Sequence, residues 1–553
     1  MNGVITMKLK KDSSEQKLRG AYYTPLQLAN AIVYLFATEN IQTVLEPSCG
    51  DGVFLDSLEQ AGLIEDIASI DAVEIEPDET LKVQNNYRHC NNVTIYNEDF
   101  FEFYNRVLGK KRYDLILGNP PYIRYQYLTE HQRELQSKIL VSHGMKANKL
   151  INAWVAFLVA CVQLLSETGK IAFVIPAEIM QVAYAEDLRL FLSEHLAKIT
   201  LITFEQLVFP DIEQEVLVFV GEKGMEERGI RIIEMNNLYG FNTLNLQQNG
   251  FQKMQHAKEK WTKYFISTEE MALIQAIRHD SRFVKFADYG LINVGITTGN
   301  NAYFSITEDT CEKYALESVT LPLIGRSSHA HGIFFTTADW KTNAAANKRA
   351  RLISFPDLPI EDYRTEHKEY ISLGELSGEN DGYKCSIRDR WYIVPSVWVP
   401  DAFFLRRSNL YPKFILNRCG AVSTDTMHRI KFADNVNPEN ILLSYYNSIS
   451  FAFTEICGRS YGGGVLEILP GELGNVMLPK VTHIDKDICK DLLNRIDKIV
   501  RKGNDIETAL DIVDREVLIE ILGIDAEWCE KCRYIWKKLR KRRLGRGTFE
   551  EVK

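Results

Sequence analysis

Residues 42–60 read QTVLEPSCGDGVFLDSLEQ. A run rich in apolar and β-branched residues, Gln42–Glu46, gives way to Pro47, a Gly-x-Gly turn at Gly50–Gly52 and a helical pattern over Gly52–Gln60. A strand turning on glycine into a helix is the unit from which open α/β sheets are built, and the same grammar recurs downstream. Further strand patterns lie at Ser69–Ile75, Val93–Asp99, Tyr113–Gly118, Lys170–Ile175, Ile199–Phe204 and Glu215–Gly221. Runs such as DLILG and IAFVI are continuously apolar, as strands buried on both faces require. Helical patterns stand before and between them at Pro25–Ala37, Pro77–Asn86, Ile151–Ser166 and Ala185–Leu196. The last two strands are joined by little more than QLVFPDIEQ, too short for a helical crossover, so the final strand is expected to return antiparallel. The expected fold is a Rossmann-like, seven-stranded α/β sheet with one antiparallel strand.

The chain has 553 residues, too many for one hydrophobic core. Past residue 225 the alternation is lost, and short β-like runs with Gly, Asn and Ser clusters replace it until Ile484–Lys541 turns helical again. The expected division is an α/β catalytic domain at 1–225, a linker or boundary at 226–265, and a mixed α+β domain at 266–553 that ends in a basic helical segment. An apolar content of 45% with 25% charged residues excludes a largely disordered chain. The stretch from Trp154 to Leu165 falls short of a membrane span, and the first residues carry no secretory h-region. Ten scattered cysteines with one close pair, Cys529 and Cys532, point to reduced thiols and to no metal. The net charge of −9 argues against generic polyanion binding, although Lys537, Lys538, Arg540, Lys541, Arg542, Arg543 and Arg546 form one basic cluster. That cluster reads equally as a solvated helix end or as a phosphate-contacting helix.

Ligands of open α/β sheets bind beyond the carboxyl ends of the strands. Here those ends are Glu46-Pro47-Ser48-Cys49-Gly50, Glu74-Ile75-Glu76, Glu98-Asp99-Phe100 and Asn119-Pro120-Pro121-Tyr122. The full GxGxxG fingerprint is absent, and Glu46 would repel a pyrophosphate, which disfavours a dinucleotide. S-adenosylmethionine has no phosphate and carries a sulfonium and an ammonium. Glu74 suits its ribose hydroxyls, Asp99 its adenine amino group, and Phe100 the adenine ring. Each acid alone reads more readily as a helix cap or surface residue, but three at successive strand ends reverse that balance.

Asn119-Pro120-Pro121-Tyr122 is the most informative tetrapeptide. A double proline fixes the backbone, so that the Asn119 side-chain oxygen and the Pro120 carbonyl can accept both hydrogens of one planar amino group. An exocyclic amine conjugated to a ring is a poor nucleophile, and two acceptors favour a more pyramidal nitrogen with its lone pair aimed at a methyl donor. Tyr122 offers a π-face to the ring bearing that amine.

With these segments the chain resembles the γ-ordered N6-adenine DNA methyltransferases of type II restriction–modification, over nearly its whole length. The order is RGAYYTP (19–25), VLEPSCGDGVFL, VEIEPD, NEDF, NPPY and then a large C-terminal domain. The resemblance implies transfer of a methyl group from S-adenosylmethionine to a flipped adenine in double-stranded DNA, protecting host DNA. It assigns the methionine end of the cofactor to Thr24, Pro25, Glu46, Ser48 and Gly50, with Asn119 and Pro121 beside it. Asn152, Trp154 and Phe157 are similar to the family's cofactor-pocket wall, and Phe209 matches the aromatic that stacks the flipped base opposite Tyr122. Ser48-Cys49 departs from the family's usual pair, and Cys49 is not the nucleophile of carbon-5 cytosine enzymes. The second half is similar to target-recognition domains, with Arg326, Arg418, Arg429 and Arg459 as candidate DNA contacts. The implied setting is a monomer in the bacterial cytoplasm, with a cognate restriction endonuclease acting on the same site without stable binding. Protein-glutamine or RNA amino-methyltransferases share the tetrapeptide, but neither explains roughly 300 further residues without an RNA-binding motif. A non-catalytic DNA-binding specificity subunit would have no need of the intact acids.

Overall fold

The computed structural model describes residues 23–146, 151–204, 215–225, 227–235, 241, 250–254, 259–461, 464–481, 484–503 and 506–545. The chain divides into two compact units, Met1–Phe265 and Ile266–Lys553.

In the first unit, strands β1 (Thr43–Glu46), β2 (Ser69–Glu74), β3 (Val93–Asn97), β4 (Tyr113–Gly118), β5 (Leu165–Pro176), β6 (Lys198–Phe204), β7 (Val216–Glu222), β8 (Gly229–Met235) and β9 (Gln252–Lys253) form one sheet in the order 3-2-1-4-5-7-6-8-9. Strands β1 to β5 run parallel, and β7 inserts antiparallel between β5 and β6. Among the described residues the sheet therefore has nine strands rather than seven. The stretch 226–265, expected to be a linker, supplies the two extra ones, with β8 parallel to β6 and β9 antiparallel to β8. Residues 229–235 (GIRIIEM) pair along the whole of β6, so the sheet continues past the expected boundary.

Helices α1 (Leu26–Tyr34), α2 (Val53–Gln60), α3 (Pro77–Asn86), α4 (Phe100–Val107), α5 (Glu130–Ser142), α6 (Ala153–Leu164) and α7 (Glu186–His195) accompany the strands. Every residue of α6 except Gln163 is buried, which explains its all-round apolar sequence without any membrane. No helix among the described residues is long and apolar enough to cross a membrane.

The second unit holds a five-stranded sheet in the order Gly290–Val294, Met427–Phe432, Ala402–Leu405, Phe414–Arg418, Phe334–Thr336. A four-stranded sheet lies within the same unit, in the order Ser305–Ile306, Arg351–Ile353, Thr320–Ile324, Val422–Ser423. Helices Ser448–Cys457, Lys486–Lys502, Ile506–Val513 and Ala526–Leu544 close the unit around a core that includes Phe451 and Trp536.

Candidate active site

A cavity of about 470 Å³ opens over the carboxyl ends of β1 to β4. Its wall takes Glu46 to Asp51 from β1 and its loop, Glu74 to Glu76 from β2, Glu98 to Phe101 from β3 and α4, and Asn119 and Pro121 from β4. Strand register produces this convergence. Glu46 pairs with Ala72, two residues short of Glu74, and Glu74 pairs with Asn97, two residues short of Asp99.

The turn after β1 is shaped by glycine. Gly50 has φ 53° and Gly52 φ 89°, a region costly for other residues. A Cβ on Gly52 would also meet the Val83 methyls at 3.2 and 3.3 Å. This turn lets the Gly50 N–H donate to Glu74 Oε2 at 2.8 Å, while the Glu76 N–H donates to Oε1 at 2.9 Å. Both Glu74 oxygens are thus oriented by backbone, each with acceptor capacity left. Asp99 caps α4, accepting from the Phe101 N–H at 2.8 Å, and its other oxygen accepts from Gln132 at 3.0 Å. The cap reading and the cavity reading of Asp99 therefore hold together. Phe100 stacks on Phe157 with ring centroids 4.7 Å apart, which forms an apolar wall beside that carboxylate.

Glu46 differs from its neighbours. It is 2% exposed, and its Oε2 makes no hydrogen bond among the described residues. Burial, reinforced by Asp51, Glu74 and Asp56, holds its carboxyl well above the usual range. Asp71, another buried acid of the same sheet, shows the contrast. Asp71 accepts from Lys111 and Tyr113 at 2.6 Å each and from Tyr96 at 3.3 Å. One buried carboxyl is satisfied by its own chain and the other is left facing a cavity. Burial with Glu46 and Glu74 nearby also pushes the Cys49 thiol well up, so Cys49 is held protonated and is a poor nucleophile.

Asn119 is tied to the first loop, because the Ser48 hydroxyl donates to its carbonyl at 3.4 Å. Pro120 and Tyr122 do not stand in the cavity wall. Pro120 is buried, and Tyr122, 8% exposed, donates its hydroxyl to the Val174 carbonyl of β5 at 3.1 Å. Thr24 lines the cavity, whereas Pro25 caps α1. Phe157 and Ala153 line it from α6, whereas Trp154 is fully buried outside it. Phe209 lies outside the described residues. The sequence reading missed α4 and α5 and with them Gln132, Gln136, Tyr127 and Leu128 of the wall. The signal was present: Asp99 is an N-cap residue, and Thr129-x-x-Gln132 is a capping box.

Two of the four arginines expected to meet DNA are engaged within the second unit. Arg429 is buried and donates to the carbonyls of Val294 and Ser396 at 3.0 and 2.8 Å, and Arg459, partly buried, pairs with Glu472 at 2.7 Å. Arg418 pairs with Glu439 and lies over the Phe334 ring, half exposed, while Arg326 is exposed. The basic end of the last helix is largely a packing element. Lys537 pairs with Glu507, Lys538 with Glu270, and Arg543 is buried against Glu455 at 2.8 Å. Arg546 lies outside the described residues. No group of three or more His, Cys, Asp or Glu among the described residues can hold a metal.

The strand order, the antiparallel β7 and the acid-lined cavity over the strand ends define a methyltransferase domain. The family described as Eco57I restriction-modification methylase matches residues 55–209, and that described as Type II methyltransferase M.Eco57I, C-terminal domain, matches residues 258–518. Type II methyltransferase M.AccI of Acinetobacter calcoaceticus is 23% identical over 89% of this chain and 92% of its own. Type II methyltransferase M.XamI of Xanthomonas campestris pv. amaranthicola is 22% identical over 84% of this chain and 86% of its own. The solved Type IIL restriction-modification enzyme MmeI aligns at a TM-score of 0.49 and 12% identity, over 95% of this chain and 73% of that one. The chain belongs to the type II restriction–modification methyltransferases, and is thus a DNA methyltransferase.

That family implies S-adenosylmethionine, and the residues fit it. A buried carboxyl oxygen without a partner among the described residues asks for a cation, a rim of Glu74, Glu76, Glu98 and Asp99 excludes phosphate, and Phe100 with Phe157 offers an apolar wall.

Proposed function

We propose that the protein methylates the exocyclic N6 amine of adenine in duplex DNA, at a specific site, with S-adenosylmethionine as donor. The observation that carries this reading is the Asn119-Pro120-Pro121-Tyr122 segment at the end of β4, its Asn119 and Pro121 in the wall of the same cavity as Glu46, whose Oε2 has no partner among the described residues. When bound, S-adenosylmethionine supplies an electrophilic methyl on a positively charged sulfur. Glu46 and the Ser48–Gly50 turn hold the methionine end, Glu74 accepts from the ribose hydroxyls, and Asp99 with Phe100 and Phe157 receives the adenine end.

The target amine is held by Asn119 Oδ1 and the Pro120 carbonyl, each accepting one of its hydrogens. This arrangement localises the nitrogen lone pair without a strong base before attack. The proton lost afterwards leaves by way of those acceptors to solvent. A stacked adenine cannot reach a cavity at a sheet rim, so the base is extruded, at a cost of a few kcal/mol. Stacking on Tyr122, and on Phe209 from the 206–214 segment, returns about 1–3 kcal/mol per ring. The Val174 hydrogen bond holds Tyr122 in one orientation, which supports its use as a fixed platform.

The test is to express the protein in cells lacking other methyltransferases and to sequence plasmid DNA for modified bases. N6-methyladenine at one short recurring sequence is expected. Unmodified adenine, or methyl groups confined to RNA or protein, would overturn the reading.

A further inference from the structure

Three segments of the second unit run parallel and end side by side. Leu323 and Ile324 pair with Val422 and Ser423, and Ile296 bridges Thr424, both in parallel. The residues that follow, Thr297–Asn301, Gly325–Ser328 and Thr424–Thr426, therefore emerge at one rim. We infer that this rim is the base-reading edge of the protein, fitted to the major groove of duplex DNA. The assignment rests on the adenine-methylating reading above.

The rim is built to hold a shape. A Cβ on Gly295 would lie 1.9 Å from the Thr424 carbonyl oxygen, so only glycine allows the segments carrying Ile296 and Thr424 to approach so closely. The Gly295 N–H donates to the Met427 carbonyl and the Ile296 N–H to that of Ser423, at 2.9 and 2.8 Å. Arg388 donates to the carbonyls of Thr297 and Thr298 at 3.2 and 2.8 Å, which fixes the first loop from below. Thr298 Oγ1 donates to Asn301 Oδ1 at 2.7 Å, and Asn301 Nδ2 donates to Asp425 Oδ1 at 3.3 Å, so the amide is oriented before any partner arrives. Thr297, Asn301, Arg326 and Thr426 are exposed.

These residue types are the ones that read base edges. Arginine addresses guanine, asparagine adenine, an acid the cytosine amino group, and a threonine methyl the thymine methyl. Arg326 adds an independent argument. Of the four arginines that the sequence offers for DNA, it is exposed with no ion pair among the described residues, and strand register carries it to this rim. The other three guanidinium groups are engaged by Glu439, by backbone carbonyls or by Glu472.

The experiment methylates a random-sequence duplex library with the full-length protein and with the Arg326→Ala, Asn301→Ala and Thr426→Ala variants, then sequences the methylated adenines. Cofactor affinity is measured in parallel by calorimetry. Each exposed-residue variant should keep wild-type cofactor affinity. At least Arg326→Ala and Asn301→Ala should each lose roughly tenfold to a hundredfold discrimination at one base pair of the recognition sequence. Wild-type consensus and rate in both variants would overturn the assignment alone. A wild-type protein that leaves every adenine in the library unmodified would overturn the adenine reading and this assignment with it.

Discussion

Glu46 makes cofactor binding a proton-linked event. In the free protein its carboxyl is buried among Asp51, Asp56 and Glu74, with Cys49 and Tyr87 the other titratable neighbours, and none of these is a cation. It therefore keeps its proton above the usual carboxylate range. A sulfonium or ammonium seated against it favours the ionised form, so binding should expel that proton. While Glu46 starts protonated, affinity should rise by up to tenfold, about 1.4 kcal/mol, per pH unit, and level off above the raised value. Stability of the free protein runs the other way. The folded chain holds a proton that the unfolded chain releases, so stability falls as pH rises from the ordinary glutamate range through the raised value. Calorimetric titration of S-adenosylmethionine in two buffers of different ionisation enthalpy measures the released proton directly. Glu46→Gln should abolish the buffer dependence and flatten both pH profiles, while lowering affinity at alkaline pH. Identical binding enthalpies in both buffers, with a flat affinity profile in the wild-type protein, would refute the reasoning.

Binding and chemistry should separate by mutation. Glu74→Ala or Asp99→Ala should weaken cofactor binding by roughly 1–3 kcal/mol, since donors in the cavity lose their acceptor, and Asn119→Ala should leave that affinity near wild type while cutting single-turnover transfer. Tyr122→Phe, which removes the Val174 hydrogen bond and keeps the ring, should cost about 1 kcal/mol of stability and keep transfer, whereas Tyr122→Ala should slow transfer because the ring itself is gone. Arg543→Ala should lower stability by about 3–5 kcal/mol in thermal or denaturant unfolding, because the buried Glu455 carboxylate is left unpaired. An unchanged unfolding midpoint would return Arg543 to the role of a solvated tail residue.

The strands were legible because their signal is local. DLILG and IAFVI are apolar over their whole length, and they became β4 and the end of β5. The strand β8 was not, although GIRIIEM is as β-rich, because the loss of alternation around it suggested a boundary. What decides its place is the seven-residue pairing with β6, a partner about thirty residues away. Helices α4 and α5 were missed because their apolar faces are short, aromatic in α4 and limited to Leu135, Ile139 and Leu140 in α5, and only their caps announced them. The arginines were the least legible. Arg429 finds Val294 across 135 residues and Arg543 finds Glu455 across 88, and no local pattern encodes such partners.

The acids show where sequence and structure each contribute. Glu46, Asp71, Glu74 and Asp99 are four carboxylates on or just beyond three adjacent strands, and residue type alone treats them alike. Position along the strand separates Asp71, which stands early in β2, from the others at the carboxyl ends. Partners then separate the three at the rim. Glu74 and Asp99 are oriented by backbone N–H groups and Gln132, whereas Glu46 Oε2 has no hydrogen-bond partner among the described residues. A buried carboxyl with lysine and tyrosine donors contributes to holding the fold. A buried carboxyl without them costs stability whenever it ionises, and a fold that keeps it gains only if a cation from outside completes the site. That unpartnered carboxyl is what points from an α/β sheet to a cationic cofactor, and the asparagine at the end of the adjacent strand β4 points from the cofactor to an amine.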